Sequence, residues 1–364
     1  MMLHENQLKL IRHLARFNLM DYQDCLDMLD TEGVGDRTAL SYVFRPLTKN
    51  KYLSKDENDC VSILARGRAL FPELTPLIST GGKDSDRRRV MKVSRMAALM
   101  EHNGIPVVAD CKNSETPYFI PSACWRRIAS GILSTTRFTG MLVAGTQRLA
   151  VYDIGDGKME WQARAEGSLF YTQYGSYETK ATGILFICQK DVREKAAQNI
   201  IRQTMWHRRK LLKENCLERN KPTRWSHAPI RLKAQYEHVY LTTPESLLIS
   251  LQRILDEEKY IQVLCANNNG TLSGSQGIGD VEAHPRRLFI NPACDLLKFV
   301  RFFAAAKTYL EPKQEENFYQ PQITLELYIY PEDQSIAWMY PKMQEWEGLS
   351  VYVYQPKQNA GSNQ

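Results

Sequence analysis

The stretch from Asp36 to Leu70 constrains the fold most, because helical, strand and turn patterns follow one another there within a short length. Asp36 suits the start of a helix, since its carboxylate can accept a backbone N–H that the first helical turn leaves unpaired. The apolar residues after it recur at the spacing of one helical face, and they are Leu40, Val43, Phe44 and Leu47. The stretch therefore begins with a predicted amphipathic helix.

A two-stranded hairpin is predicted directly after this helix. Lys51-Tyr52-Leu53 ends the helix and begins a strand, residues 55–59 form a charged turn, and residues 60–64 form a second strand. Gly67 then marks a further turn. Helix, strand, polar hairpin, strand and helix in this order predict a winged helix, whose recognition helix enters the DNA major groove while the hairpin touches the flanking backbone.

Pro46 argues against an uninterrupted helix. An interior proline removes one hydrogen bond and clashes with the preceding turn, at a cost of about 3 kcal/mol. We expect either a kink at Pro46 or an early helix end, with residues 47–50 as a separate turn. An open alternative for the whole segment is an amphipathic helix whose Arg and Lys residues only face solvent.

Two shorter helices are predicted before this one. The first covers roughly residues 4–17, and the second starts at Met20-Asp21 with Asp24, Asp27 and Asp30 on its outer face. An acidic helix should face away from phosphates. The first 80 residues are not basic overall, which keeps contact with a protein as a rival to contact with DNA.

The N-terminal pattern resembles a family of bacterial regulators. Its third helix ends in Lys49-Asn50-Lys51-Tyr52-Leu53, and its hairpin ends in Leu64-Ala65-Arg66-Gly67. Over about residues 5–75, this order resembles the plasmid replication-relaxation proteins, although Asn50-Lys51 replaces the small residue and glycine usual in that family. The resemblance implies a DNA-binding accessory protein of a plasmid or integrated mobile element, acting in replication, relaxation or transcriptional control.

Positive charge is concentrated in two segments of a chain whose formal net charge is +6. Residues 81–100 hold six Lys and Arg against two Asp, and residues 201–233 hold ten Lys and Arg against two Glu. Such concentration favours a polyanion as partner. For residues 201–233, a solvated helix face is an equally open interpretation.

A chain of 364 residues is expected to form more than one domain. The fold class predicted is α+β or mixed α/β, with an N-terminal winged helix followed by a mixed-sheet α/β domain that could divide into two halves. The predicted segments are a winged-helix domain 1–78, a basic linker and helix 79–104, an α/β domain 105–355 with halves 105–220 and 230–355, and a disordered tail 356–364.

Apolar patterns predict the elements of the α/β domain. The predicted strands cover residues 117–121, 139–144, 149–154, 183–188, 237–241, 260–264, 287–290, 323–330, 335–340 and 349–354. The predicted helices cover residues 160–174, 191–214, 244–258 and 295–309, and a mobile loop is predicted over 267–279.

A metal-dependent nuclease is the alternative function. Nucleases with a restriction-endonuclease fold place one acidic residue on a strand and a Glu-x-Lys pair on the next, to hold Mg²⁺ and orient water. Asp153 ends a predicted strand, and Glu178-Thr179-Lys180 precedes the next. Glu178 lies before the apolar run rather than within a strand, so we expect no catalysis. The run Gly274–Gly279 mimics a phosphate loop but lacks the flanking strand and helix.

The predicted partner is double-stranded DNA, with other replication or transfer proteins as further partners and a homodimer left open. A third function remains open, in which the winged helix docks a protein through its acidic helix. Trp206 lies within the basic segment and is expected to anchor a core. The predicted DNA-contacting residues are Arg37, Thr38, Ser41, Tyr42, Arg45, Lys49, Lys51, Lys55, Arg87, Arg88, Arg89, Arg208, Arg209, Lys210 and Lys213.

The remaining sequence features predict a cytoplasmic protein without a cofactor or metal. No apolar run reaches membrane-spanning length, and the N-terminus lacks a secretory signal. The eight cysteines form no C-x-x-C pair, which is typical of reduced thiols rather than of a zinc site or a disulfide framework.

Overall fold

The chain forms two compact units of mixed α and β structure, Met1–Asp153 and Ile154–Gln364. The computed structural model describes residues 2–33, 35–78, 84–110, 115–128, 138–156, 181–201, 237–273, 278–310 and 323–354. The division differs from the predicted one, because residues 84–153 belong to the same unit as the N-terminal helices.

The first unit begins with three helices and a small antiparallel sheet. Its elements are α1 (Glu5–Phe17), β1 (Leu19–Asp21), α2 (Tyr22–Leu29), α3 (Arg37–Lys49), β2 (Leu53–Lys55), β3 (Cys60–Ile63) and the one-turn helix α4 (Ala65–Arg68). Strand β3 lies in the centre of the sheet, antiparallel to both β1 and β2. Strand β1 was not predicted, because three residues are too few to show an alternating pattern.

Capping and apolar spacing explain these helices. The side chain of Asp36 accepts hydrogen bonds from the backbone N–H groups of Thr38 and Ala39, as its N-cap position predicts. Asp21 caps α2 in the same way. The predicted apolar stripe of α3 turns inward, where Phe44 packs with residues of α1, α2 and β3 in one core.

Helix α3 continues through Pro46 to Lys49, so the early end considered for it is wrong. Pro46 has no N–H to offer the carbonyl of Tyr42, one turn earlier. Tyr42 lies on the exposed side of the helix, where water can donate a hydrogen bond to its carbonyl instead. After Pro46 the helix is closed by Asn50, whose backbone N–H and side-chain amide both donate to the Pro46 carbonyl.

The rest of the first unit is a long helix and a three-stranded antiparallel arrangement. The elements are α5 (Asp84–His102), β4 (Tyr118–Pro121), α6 (Ser122–Ile128), β5 (Gly140–Ala144) and β6 (Gln147–Asp153). Strand β5 pairs with both β4 and β6. The apolar face of α5 is buried, from Val90 to Met100, and Gly104 adopts a left-handed φ of +72°, which is common for the residue after a helix end.

The second unit contains two sheet regions and five helices among the described residues. Its elements are β7 (Gly183–Ile187), α7 (Arg193–Ile200), β8 (His238–Thr242), α8 (Leu247–Leu255), α9 (Glu257–Asn267), β9 (Thr271–Leu272), β10 (Val281–Ala283), β11 (Arg286–Asn291), α10 (Leu296–Tyr309), β12 (Thr324–Ile329), α11 (Gln334–Ala337) and β13 (Leu349–Val353). Short 3₁₀ turns cover Lys190–Val192, Pro244–Ser246, Pro331–Asp333 and Pro341–Glu345.

Strand pairing in this unit is mixed. Strands β7 and β8 are parallel. A five-stranded sheet has the order β13-β12-β11-β10-β9, with β9, β10 and β11 antiparallel and β11, β12 and β13 parallel. The long connections between the parallel strands carry helices, as parallel pairing requires.

Two predicted strands of the second unit are helical instead. Residues 260–264 lie inside α9, because Tyr260, Ile261 and Leu264 recur at helical spacing and face a core with β10 and β11. The predicted strand 335–340 overlaps α11 at residues 335–337, and this helix buries Ile336 and Ala337. The predicted helix 160–174, the end of the helix 191–214 and the predicted disordered tail lie outside the described residues.

Within the described residues, no helix combines the length and apolar character that crossing a membrane demands.

Gly67 is required where α4 approaches the preceding hairpin. A Cβ at this position would lie 2.6 Å from the carbonyl oxygen of Tyr52 and 2.9 Å from the side chain of Ile63. We expect Gly67→Ala to lower the free energy of unfolding of the first unit by about 1–3 kcal/mol, the usual cost of overpacking. Urea denaturation checks this, with Ala65→Ser on the same exposed turn as a control expected to change it by less than about 0.5 kcal/mol.

Candidate functional site

The exposed face of α3 presents a row of polar and aromatic side chains. Thr38, Tyr42, Arg45 and Lys49 are exposed and Ser41 is half-buried, while the opposite face packs into the core. Tyr42 is 60% exposed, which is unusual for so large a ring. The Arg45 guanidinium lies over this ring, 4.6 Å from its centroid. The two side chains hold each other in position on the solvent side of the helix.

The N-terminal end of α3 is surrounded by acidic residues. Arg37 is paired with Asp27 of α2, with 2.5 Å between Nη1 and Oδ1, although both side chains are at least half exposed. Asp36 precedes Arg37, and Asp30 holds the loop before α3 by accepting from the backbone N–H of Gly35. The positive charge of Arg37 is therefore offset locally by carboxylates.

The C-terminal end of α3 is cationic. Lys49 and Lys51 are exposed there, and no acidic side chain in the described part of the chain lies within ion-pair distance of either. Arg66 of α4 joins them, because its Nη1 donates to the carbonyl of Asn50 at 3.1 Å and its guanidinium covers the ring of Tyr52. We call Arg45, Lys49, Lys51 and Arg66 the α3 cation cluster.

Sequence reasoning did not select Arg66 as a contact residue. It lies fifteen positions after Lys51 in the chain, and only the close approach of α4 to the hairpin at Gly67 brings it to the end of α3. In the sequence, Gly67 indicates a turn, but nothing about Arg66 indicates a role in binding.

The turn between β2 and β3 is acidic. Residues 55–59 contain one Lys against Asp56, Glu57 and Asp59, and Lys55 is paired with Asp59 at 2.6 Å. Asp56 shapes the turn by accepting from the backbone N–H groups of Asn58 and Cys60. Together with the Arg87 side chain, these bonds hold the pKa of Asp56 below its ordinary value, so it stays ionised.

The three arginines predicted on α5 have different surroundings. Arg87 forms an ion pair with Asp56 of the hairpin turn, with 2.7 Å between Nη2 and Oδ2. Arg88 is exposed and Arg89 half-buried. The predicted contacts Arg208, Arg209, Lys210 and Lys213, together with Trp206, lie outside the described residues.

Of the three residues proposed for a nuclease, the structure describes Asp153 alone. Asp153 ends β6 as predicted, and one of its carboxylate oxygens lies 3.9 Å from Arg95 of α5. Glu178 and Lys180 lie outside the described residues. Among the residues that are described, no three His, Cys, Asp or Glu side chains are arranged to hold a metal ion.

Asp24 of α2 lies beside the same arginine, 3.7 Å from Nε of Arg95, with its side chain only 17% exposed. The expectation that it faces outward is therefore wrong. Burial raises the pKa of Asp24 to about 7, although Arg95 opposes this rise and the neighbouring Asp21, Asp27 and Asp153 add to it.

A buried Ser–His–Glu constellation connects α1 and α5. Nε2 of His13 lies 3.1 Å from Oγ of Ser94, and its Nδ1 lies 3.1 Å from Glu101. Burial raises the pKa of Glu101, but His13 and Arg16 outweigh it and hold that pKa below its ordinary value. Ser94 has no exposed surface, so no substrate can reach it. The hydrogen bonds of His13 instead connect α1 to α5.

The second unit contains a buried ionic network around the start of α10. Asp295 caps this helix by accepting from the backbone N–H of Leu297, and its other oxygen lies 2.9 Å from Nδ1 of His238. Burial by itself lowers the pKa of His238, but the hydrogen bond and charge of Asp295 raise it above the ordinary value. Burial raises the pKa of Asp295, yet His238 and the backbone donors lower it overall.

Lys298 forms the centre of that network. Its ammonium group contacts Glu257, lies 3.4 Å from both carboxylate oxygens of Asp280 and donates to the carbonyl of Ile290 at 3.0 Å. Burial lowers the pKa of Lys298, but the two carboxylates raise it overall, so it stays protonated. All three of its hydrogens are engaged within the protein.

A cleft of about 770 Å³ lies between α9 and α10 above this network. Its walls combine apolar side chains, such as Ile261 and Phe289, with the charged residues Glu258, Asp280, Lys298 and Arg301. Gly279 also lines it, while Gly274–Gly277 of the predicted mobile loop lie outside the described residues. Strand β9 lies within the predicted mobile loop 267–279, and the run Gly274–Gly279 is followed by β10 rather than by the helix that a phosphate loop needs.

Comparisons of this chain with models of protein families, with curated proteins and with solved structures found no match.

Proposed function

We propose that this protein binds double-stranded DNA through its N-terminal unit and is not an enzyme. The observation that carries the proposal is the exposed polar face of α3, which lies between the buried helices of the unit and a β-hairpin. A helix placed in this way can enter the major groove, where side chains such as Arg45 reach base edges.

The order of elements supports a winged helix. Three helices, with a short strand between the first two, are followed by a two-stranded hairpin, and the short strand pairs with the second hairpin strand. In this arrangement, α3 is the recognition helix and the β2–β3 hairpin is the wing. The local sequence of residues 36–49 explains the N-cap, the apolar stripe and the exposed face of α3.

The charge balance supports a localised contact rather than a broad one. Residues 1–78 contain ten Lys and Arg against eleven Asp and Glu, so this part of the first unit attracts phosphates only where its cations are segregated. The α3 cation cluster is such a place.

For the biological setting, we propose an accessory or regulatory role in the replication, relaxation or transcription of a plasmid or mobile element. This part of the proposal rests on the resemblance of residues 5–75 alone.

We expect Arg45→Ala to weaken the preferred DNA complex by about 1–3 kcal/mol if Arg45 reads a guanine. The measurement is fluorescence anisotropy against duplexes selected from a random-sequence pool by the purified 364-residue chain. Arg12→Ala, which removes an exposed cation from α1 instead, is the matched control and should change the affinity by less than about 0.5 kcal/mol.

If the wild-type protein selects no sequence and shows no salt-dependent affinity for duplex DNA, the proposed function is wrong. If it binds and selects but Arg45→Ala matches the wild type, DNA binding stands and α3 is not the recognition helix. The double variant Arg37→Ala, Arg45→Ala tests whether Arg37 compensates for the loss of Arg45.

A protein partner is the second candidate, and the acidic hairpin turn is the observation that favours it. Asp56, Glu57 and Asp59 would meet phosphates unfavourably, but they suit a basic protein surface. Binding of a basic partner that is abolished in Glu57→Lys, without any affinity for DNA in the wild type, would support this candidate over the first.

A further inference from the structure

We infer that phosphate contacts are made at the C-terminal end of α3 by Lys49, Lys51 and Arg66, while the N-terminal end of α3 and the hairpin turn stay off the DNA backbone. This inference rests on the proposed DNA binding and specifies its surface. It departs from the expected use of a winged helix, in which the hairpin contacts the flanking backbone.

The cations around α3 and the hairpin fall into two groups with different surroundings. Arg37, Lys55 and Arg87 are each paired with a carboxylate, on Asp27, Asp59 and Asp56 respectively. A phosphate that approached these cations would also meet the carboxylates, and this cancels most of the attraction. These three cations are therefore neutralised by carboxylates of the protein itself.

The second group is free of such carboxylates in the described part of the chain. Lys49 and Lys51 flank Asn50, whose carbonyl accepts from Arg66, so the three cations share one small surface. The ring of Tyr52 supports the guanidinium of Arg66 from below, with 4.7 Å between Cζ and the ring centroid. This contact orients Arg66 in advance and lowers the entropy that it loses on binding.

The backbone fixes this surface. Lys51 adopts a left-handed φ of +58°, which turns the chain sharply from α3 into β2. The N–H of Leu64 then donates to the carbonyl of Tyr52, and the missing side chain of Gly67 lets α4 approach the same carbonyl. The cluster is thus held by backbone contacts on both sides, as a phosphate-positioning surface requires.

Two charge-matched triple variants test the inference. The first is Lys49→Gln, Lys51→Gln, Arg66→Gln, and the second is Arg37→Gln, Lys55→Gln, Arg87→Gln. Each removes three positive charges from the 364-residue chain and leaves every other cation, including those at 201–233, unchanged. The probe is a fluorescein-labelled mixed-sequence DNA duplex, and the quantity is the slope of log affinity against log salt concentration.

We expect the first variant to flatten this slope by about 0.9 for each phosphate that it no longer neutralises, hence by about 2–3, and to bind at least about tenfold more weakly. The second variant should keep the wild-type slope to within about 0.5. Glu57→Lys, which reverses a charge on the hairpin turn, should leave the affinity within about twofold of the wild type, because the turn stays away from phosphates.

Three results would overturn the inference. They are an equal flattening of the slope in both triple variants, a larger flattening in the second, and a Glu57→Lys protein that binds about tenfold more tightly. Each leaves the proposed function standing, since the wild type still binds DNA. The single variants Lys49→Gln and Lys51→Gln, both at exposed positions, repeat the test if the triple variant fails to fold by circular dichroism.

Discussion

Replacing Lys298 by Met is expected to lower the free energy of unfolding of the second unit by about 3–5 kcal/mol. The side chain of Lys298 is almost completely buried, and its ammonium group neutralises both Glu257 and Asp280. Methionine preserves the volume but leaves two largely buried carboxylates together without their cation, which is the costly way to break a buried ion pair. Urea denaturation, with hydrogen exchange at the amides of α10, measures the effect.

Lys259→Met is the matched control for this prediction. Lys259 also pairs with a carboxylate, on Asp256, but its side chain is 78% exposed. An exposed pair contributes about 0–1 kcal/mol, so this variant should unfold almost as the wild type does. Adding Glu257→Gln to Lys298→Met should restore part of the stability. Equal effects at positions 298 and 259 would show that the buried network does not hold the unit together.

The sequence predicted helix α3 and the β2–β3 hairpin because their signals are local. The N-cap at Asp36, the apolar stripe from Leu40 to Leu47 and the polar turn at residues 55–59 each specify one element without reference to distant residues. Strand β1 was missed because it exists only by pairing with β3. Its three residues carry no period of their own.

The two wrong strands of the second unit have a common cause. Short apolar runs such as residues 260–264 fit a buried strand and a helix equally, and their partners decide between the two. Here, residues 260–264 pack on β10 and β11 through helical spacing, so the run extends α9. The predicted strand 335–340 similarly became α11, after a 3₁₀ turn that begins at Pro331.

For the candidate site, the sequence predicted which residues of α3 are exposed but not which cations are paired. Arg37 and Arg45 look equivalent in the sequence, because both lie on the polar face of the same helix. The structure separates them, because Arg37 meets Asp27 of another helix while Arg45 covers Tyr42 of its own. Arg66 was missed for the same reason, since its neighbours are distant in sequence.

Asp24→Asn is expected to stabilise the first unit at pH 8 by about 2–4 kcal/mol. The folded-state pKa of Asp24 is about 7, against an ordinary 3.8, because the side chain is buried beside other carboxylates. A raised carboxyl pKa means that the folded chain holds this proton more tightly than the unfolded chain. Its contribution to stability is therefore present below about pH 4 and is lost as pH rises toward 7. One pKa unit corresponds to about 1.4 kcal/mol, which sets the range.

Denaturation curves at pH 4 and pH 8 check this prediction. The difference between Asp24→Asn and the wild type should be small at pH 4, where the folded protein already holds Asp24 uncharged, and should grow up to about pH 7 before levelling off. Asp27→Asn is the control, since that side chain is 57% exposed and its pair with Arg37 contributes about 0–1 kcal/mol. A stability difference for Asp24→Asn that is the same at both pH values would mean that Asp24 is ionised in the folded protein throughout, with Arg95 outweighing its burial.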